Sequence, residues 1–445
     1  MTIGKLPATR YAAYARGLSL IELMIAITLG MIVMAAVLAL FINITRSNSE
    51  MAKMNRQIEN GRFAIQVLQD DLQHAGFWGS FVPHFDDLTA LGAPLDAPAA
   101  LPDPCLAYDP ANWTTAYIAN LVGIPVQGNA GTCPVGNQQA NTDVLVVRHA
   151  QTCVAGVAGC EAETAGKLYF QSTLCELDVS ATAQQPNTST TIKLNAGAVA
   201  TDDFYKGAVI RIIAGLGAGQ ARTITGYVGG TRVATIDAAW ATIPDNSSIY
   251  AFGLGYVLGD SGHIFHKKDC ATLADKRKFV SSIYYIRDYA SSAGDGIPTL
   301  MRSSFDGTAH QSAQPLIEGI QGFRVEYGID DKSDANTPVK NSVAIAWADP
   351  LNLVSPTNRG DGVPDQWVDA AGVTCTSADV CDAANIVSAR IHVLARSLEL
   401  TPGYTDGKTY QLGGTSMGPF NDGFKRHVFS TTIRFVNPAG RRDTP

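Results

Sequence analysis

The chain has 445 residues, 46% of them hydrophobic, with 33 basic and 40 acidic side chains and a formal charge of −7 at pH 7. That balance excludes general nucleic-acid binding, which needs clustered Lys and Arg to release counterions; Lys425-Arg426 and Arg441-Arg442 are too small to change it. It also supplies apolar sequence for a span and for a core larger than one compact domain usually holds.

The first predicted element is a helix long enough to cross a membrane. Lys5, Arg10 and Arg16 precede it, and after Glu22 no charge appears until Arg46. Residues 23–42 are mostly Leu, Ile, Met, Val and Ala, with a single Gly30 and no Pro. At ~1.5 Å per residue they cover ~30 Å, the thickness of a hydrocarbon core. Glu22 is the anomaly, because a carboxylate in that zone costs at least ~2.5 kcal/mol and needs a partner. A secretory signal has a shorter apolar run, and a plain single-pass anchor leaves the acid unexplained. Cleavage after Gly17 would free an amine on Leu18, four residues from Glu22. In a helical packing of identical segments, Glu22 of one subunit would then neutralise the amine of its neighbour.

Gly17 followed by Leu-Ser-Leu-Ile-Glu-Leu-Met resembles the class III leader and mature N-terminus of type IV pilins and pseudopilins. The resemblance implies cutting by a prepilin peptidase between Gly17 and Leu18, methylation of the new N-terminus, and Glu22 as the assembly glutamate. The departure is Leu18, where most family members carry Phe or Met. Losing Lys5, Arg10 and Arg16 with the leader takes the formal charge from −7 to −10. Residues 1–17 are thus the leader and 18–42 the transmembrane half of the helix.

Residues 43–79 continue it as an amphipathic stalk. Met51, Met54, Ile58, Ile65, Leu68 and Leu72 recur at three, four and seven, with Gly61 in one slot of the seam, and Phe63 and Val67 add apolar character on a second side. A helix apolar on two sides should be covered on both, by neighbouring helices and by its own head. Gly76, Gly79 and Pro83 end it.

The head, residues 80–440, carries all eight cysteines, which suits an oxidising periplasmic or extracellular side opposite the basic leader. Cys153/Cys160 and Cys375/Cys381 are the closest pairs in sequence, and Cys105/Cys133 and Cys175/Cys270 take up the rest. Eight cysteines allow on the order of a hundred pairings, so spacing alone leaves the connectivity open. No CxxC occurs and no His is interleaved, so zinc is not expected. Residues 143–148, 282–287, 323–327, 389–397 and 426–435 alternate with period two, with Arg, Ser and Thr outward, predicting an antiparallel sheet with one wet face. Residues 190–252 read as an inserted all-β module of short β-branched strands joined by Gly pairs. Its Gly215-Leu216-Gly217-Ala218-Gly219 loop lies between strands, so it is no phosphate cradle. The module either binds a receptor or partner, or is a structural elaboration.

Residues 60–64 and 71–79, Tyr284-Tyr285-Ile286-Arg287, 317–328, Val393-Leu394-Ala395-Arg396-Ser397 and Arg426-His427-Val428-Phe429 resemble PilW-type minor pilins. The resemblance implies an α+β, type IV pilin-like fold: a long N-terminal helix, membrane-spanning in its first half, packed on an antiparallel β-sheet head. It implies a low-abundance, non-enzymatic subunit that primes pilus assembly near the tip and supports adhesion or twitching motility. Its partners would be prepilin peptidase, other minor pilins, the major pilin and a PilY-type tip adhesin. It would sit in the inner membrane with the head in the periplasm before assembly, and on the pilus afterwards. The alternatives are a J-type pseudopilin of type II secretion and a membrane-tethered serine hydrolase. For the hydrolase, Gly414-Thr415-Ser416-Met417-Gly418 matches G-x-S-x-G, but Pro419 follows where a helix is required. Asp361-Gly362-Val363-Pro364-Asp365, with Asp330, Asp331 and Asp334 upstream, leaves Ca²⁺ open as a cofactor without the spacing of an EF-hand loop; no metal ligand is assigned.

Overall fold

The computed structural model describes residues 19–89, 92–128, 131, 133 and 135–442. The chain divides into two compact units, one ending at Arg56 and one beginning at Gln57. One uninterrupted helix, Leu20–His74, runs through that boundary. Its first half is exposed throughout, with Leu20, Ile25, Met31, Val37 and Ile42 each more than half accessible. Within the apolar run the Thr28 and Thr45 hydroxyls donate to the carbonyls of Met24 (2.6 Å) and Phe41 (2.8 Å), so neither needs water.

From Gln57 the helix becomes a core element. Gln57, Gly61, Ala64, Leu68 and Leu72 are buried, at steps of three and four that place them on one face. This face keeps Gly61, Leu68 and Leu72 of the expected seam but not Met51 and Met54, which are exposed, and Gln57 and Ala64 take inner positions beside them; Phe63, expected on a second apolar side, is also exposed. Two sheets close over it. The C-terminal sheet runs Gln366–Asp369, Ile320–Ile329, Ile386–Arg396, Arg426–Arg434, and the larger N-terminal one runs Val126–Gln127, Leu145–Ala150, Arg277–Arg287, Thr299–Ser304, Gln314–Glu318. Phe323, Val325, Ile391, Val393 and Ile433 from the first, and Leu145, Val147, Tyr284 and Leu300 from the second, share one core with Ala64, Leu68 and Leu72. Every pairing is antiparallel, and the fold is α+β with an N-terminal helix and a β head.

The expectation of one wet face fails for the N-terminal sheet. All six residues of Leu145–Ala150 are buried, including Arg148. Its second face is covered in part by an aromatic cluster that includes Trp78, Trp113, Phe170 and Phe279, and in part by Cys105 and Cys133, which pack against Val146, Ile283, Tyr285 and Met301. Arg148 is tolerated there because it donates to the Ile124 carbonyl at 2.8 Å and to Gln127 Oε1 at 2.7 Å, and burial lowers its pKa to about 10.

The inserted module is a separate seven-stranded antiparallel sheet with its own core of Ile192, Ile210, Ile212, Tyr227, Tyr250 and Phe252. It begins earlier than residue 190: Ala181–Thr182 pairs with Ile249–Phe252, and Gln184–Thr188 forms the opposite edge. Polar strands such as Gln184–Thr188, with Pro186 inside, give no period-two signal, which hid the true start. The Cys175–Cys270 disulfide joins the two strand-flanking segments outside the module.

Candidate functional site

The processing residues Gly17 and Leu18 lie outside the described residues, as do Lys5, Arg10 and Arg16. The described chain opens at Ser19, directly before the helix. The Ser19 N–H donates to Glu22 Oε2 at 3.0 Å, and the Glu22 N–H donates to Ser19 Oγ at 3.3 Å. Ser-x-x-Glu is a capping box, in which the serine and the acid three residues on each satisfy an orphan donor of the first helical turn. The carboxylate also lies at the positive end of the helix dipole. Glu22 therefore has a local partner. The Ser-x-x-Glu spacing is itself legible in the sequence.

Downstream, polar contacts fasten the buried part of the helix to both sheets. Gln57 Nε2 donates to the carbonyls of Ala395 (2.8 Å) and Lys425 (3.1 Å), and Asn60 donates to the Glu318 carbonyl at 2.9 Å. The Tyr284 hydroxyl donates to Asp71 Oδ2 at 2.8 Å, and His149 Nε2 lies 3.0 Å from Asp71 Oδ1. Burial, reinforced by Asp71, pushes the Tyr284 pKa up and keeps it a donor. Gly61 lies against the ring of Phe429, which occupies the space a Cβ would need. Gln57 does not stand out in the sequence, because a polar residue on an apolar face looks like noise until its hydrogen-bond partner is known.

All eight cysteines are paired, as Cys105–Cys133, Cys153–Cys160, Cys175–Cys270 and Cys375–Cys381. Ser416 sits in the hairpin of Tyr410–Leu412 and Thr415–Met417, and its hydroxyl donates to Gln411 Oε1 at 2.6 Å. A strand hairpin is not the strand-to-helix elbow that activates a serine. The acidic runs near 330 and 361 do meet, but the chain's own donors hold them. Asp330 Oδ2 accepts from the Gly362 N–H (2.9 Å) and from Arg442 (3.2 Å), and Asp365 Oδ2 accepts from the Lys332 N–H (2.8 Å). Among the described residues no three His, Cys, Asp or Glu side chains converge as a metal site. The two basic spots are not surface patches either, since Arg426 and Arg442 are buried and bonded to carboxylates.

Residues 283–437 match a family model described as type IV pilus-assembly protein W, and residues 13–38 match one for the prokaryotic N-terminal methylation motif. No curated protein and no solved structure matches the chain.

Proposed function

We propose that the chain is a type IV pilin-like protein of the PilW type, that it is processed between Gly17 and Leu18 and that it enters the pilus through Glu22. Prepilin peptidase would release and methylate the Leu18 amine. The Glu22 carboxylate, held in the capping box by Oε2, would then meet the terminal amine of a neighbouring subunit. Before assembly the exposed apolar half of Leu20–His74 would hold the subunit in the inner membrane, with its disulfide-bonded head in the periplasm. After assembly it would prime the filament near the tip with other minor pilins, the major pilin and a PilY-type adhesin, supporting adhesion or twitching motility.

One observation carries this reading. Residues 20–38 of the methylation-motif match are the apolar start of a helix whose later half shares a core with strands of the segment that matches the PilW model. The PilW match favours a pilus over a secretion pseudopilin, and the bonding of Ser416 speaks against the hydrolase.

Glu22→Ala in the native host tests the assembly role. Mass spectrometry should show a methylated start at Leu18, as in the parent, while surface pili fall severalfold. Normal piliation in that strain would refute the role of Glu22, and an intact Met1 start in the parent would refute processing.

A further inference from the structure

The outward face of the C-terminal sheet carries a hydrogen-bonded line of three side chains that pilus assembly does not use. The register sets Arg324 opposite His392 and His392 opposite Ser430, so these side chains leave the sheet on one face. Glu326, two residues on from Arg324, joins them. The other face is the apolar one, with Phe323, Val325, Ile391 and Val393 in the core. His392 Nδ1 lies 2.8 Å from Ser430 Oγ, and its Nε2 lies 3.2 Å from Glu326 Oε2. A carboxylate only accepts, so the proton of the neutral ring belongs on Nε2, which leaves Nδ1 to accept from the Ser430 hydroxyl.

The fold holds each member in place. Glu326 Oε1 accepts from the Gly414 N–H at 3.1 Å, in the loop of the Tyr410–Leu412 and Thr415–Met417 hairpin. That loop passes so close that a Cβ on Gly413, where φ is +58°, would overlap the carboxylate. Leu412 and Met417 seat the hairpin against Gly322 on the same face. His392 and Glu326 are half-buried, whereas Ser430 is exposed, on the edge strand Arg426–Arg434. The Phe435 N–H donates to the Val387 carbonyl at 2.8 Å and the Ser397 N–H to the Lys425 carbonyl at 2.9 Å, both on the register line of that strand. Hydrogen-bonded positions alternate in an antiparallel pair, so Ser430 faces His392 as a non-bonded pair, the kind that brings side chains closest. The Ser430 N–H therefore points out of the sheet, and among the described residues nothing accepts it.

We propose that Ser430 is a nucleophile, with His392 as its base and Glu326 orienting the ring, and that it accepts an acyl group from an activated ester. A hydroxyl, a base within hydrogen-bond reach and a third group that fixes the base are what activates a serine. In the reaction, Ser430 Oγ bonds to the ester carbonyl carbon while its proton passes to His392 Nδ1. The carbonyl oxygen takes up the negative charge and accepts from the outward Ser430 N–H. The bond to the leaving oxygen then breaks, that oxygen departs as an alcohol with the proton from Nδ1, and Ser430 remains esterified. The site is separate from Ser416, whose hydroxyl is bonded to Gln411. It rests on the register of the sheet and stands whether or not the chain enters a pilus.

The test treats the full-length chain in detergent with p-nitrophenyl acetate and locates the acetyl groups by peptide mass spectrometry. In the native parent, Ser430 should be acetylated at least about tenfold faster than the exposed Ser292, and the preference should vanish in urea. His392→Gln should slow acetylation of Ser430 at least about tenfold, the low end of what a general base supplies, and Glu326→Gln severalfold. Should His392→Gln fail to fold, the native and urea-unfolded parent decide the matter by themselves. Equal acetylation of Ser430 and Ser292 in the native parent, or a Ser430 rate that His392→Gln leaves unchanged, overturns the proposal and reduces the three side chains to a polar ladder on a wet sheet face.

Discussion

His310 sits between two serine hydroxyls, with Nε2 3.2 Å from Ser281 Oγ and Nδ1 3.3 Å from Ser303 Oγ, and its ring lies edge-on to Phe305. Burial, with Arg148 nearby and against a smaller opposing pull from Asp306, lowers its pKa from 6.5 to about 4. The unfolded imidazole takes up a proton near its ordinary pKa and the folded one only well below it. The native state is therefore fully stabilised above about 6.5, and loses that contribution as pH falls toward 4, by up to about 3 kcal/mol. His310→Gln keeps a partner for both serines and removes the titration. Unfolding midpoints of the two proteins in detergent should converge as pH drops from 7 to 4.5, and a constant difference would exclude this role. Among the described residues no carboxylate is bonded to the His310 ring, so the pair lacks the third group that orients a catalytic histidine.

At the scale of elements, the helix reaches the C-terminal sheet through a close approach at Gly61. An Ala at this position would gain about 1 kcal/mol of helix propensity, but its Cβ would fall on the Phe429 ring. Overpacking of that kind costs about 1–3 kcal/mol, so Gly61→Ala should lower the unfolding midpoint. Phe429→Leu vacates the ring space, so in that background Gly61→Ala should be neutral or stabilising; additive losses would mean the ring is not the obstacle. Much of this element was readable in advance. Charge-free residues 23–42 announced a long apolar helix, and Leu68 and Leu72 announced a buried stripe. The sheets were readable where strands alternate, as in Phe323-Arg324-Val325-Glu326-Tyr327. What escaped reading had a physical reason in each case. Arg148 looked solvent-facing because period two cannot tell a half-buried strand from one covered on both faces. The module's first strands are polar, and the Ser19–Glu22 box was outweighed by the charge it contains.

For the head as a whole, one guanidinium near the C-terminus joins segments far apart in sequence. Arg442 is 2% exposed, and its Nε donates to Asp86 Oδ1 at 2.6 Å and its Nη1 to Asp330 Oδ2 at 3.2 Å. Its Nη2 donates to the Ala384 carbonyl and to Asn385 Oδ1, both at 3.1 Å. The helix Val436–Arg442 thereby pins the short turn at His84–Asp86, the end of Ile320–Ile329 and the approach to Ile386–Arg396. Even with that cation beside it, burial raises the Asp330 pKa to about 6, so the site holds its charges at some cost. Arg442→Met would leave Asp330 buried with no guanidinium and Asp86 with only Arg441, 3.8 Å away. Breaking a buried pair from one side costs about 3–5 kcal/mol, and the loss should be largest at pH 8, where Asp330 is ionised in the parent. At pH 5 the variant can protonate Asp330, so the gap between the two proteins should narrow. Asp330→Asn in the Arg442→Met background should recover part of the loss at pH 8 and little at pH 5. Denaturant midpoints of the three proteins at both pH values decide it, and a loss that ignores pH would show that the side chain's packing matters there, with its charge irrelevant.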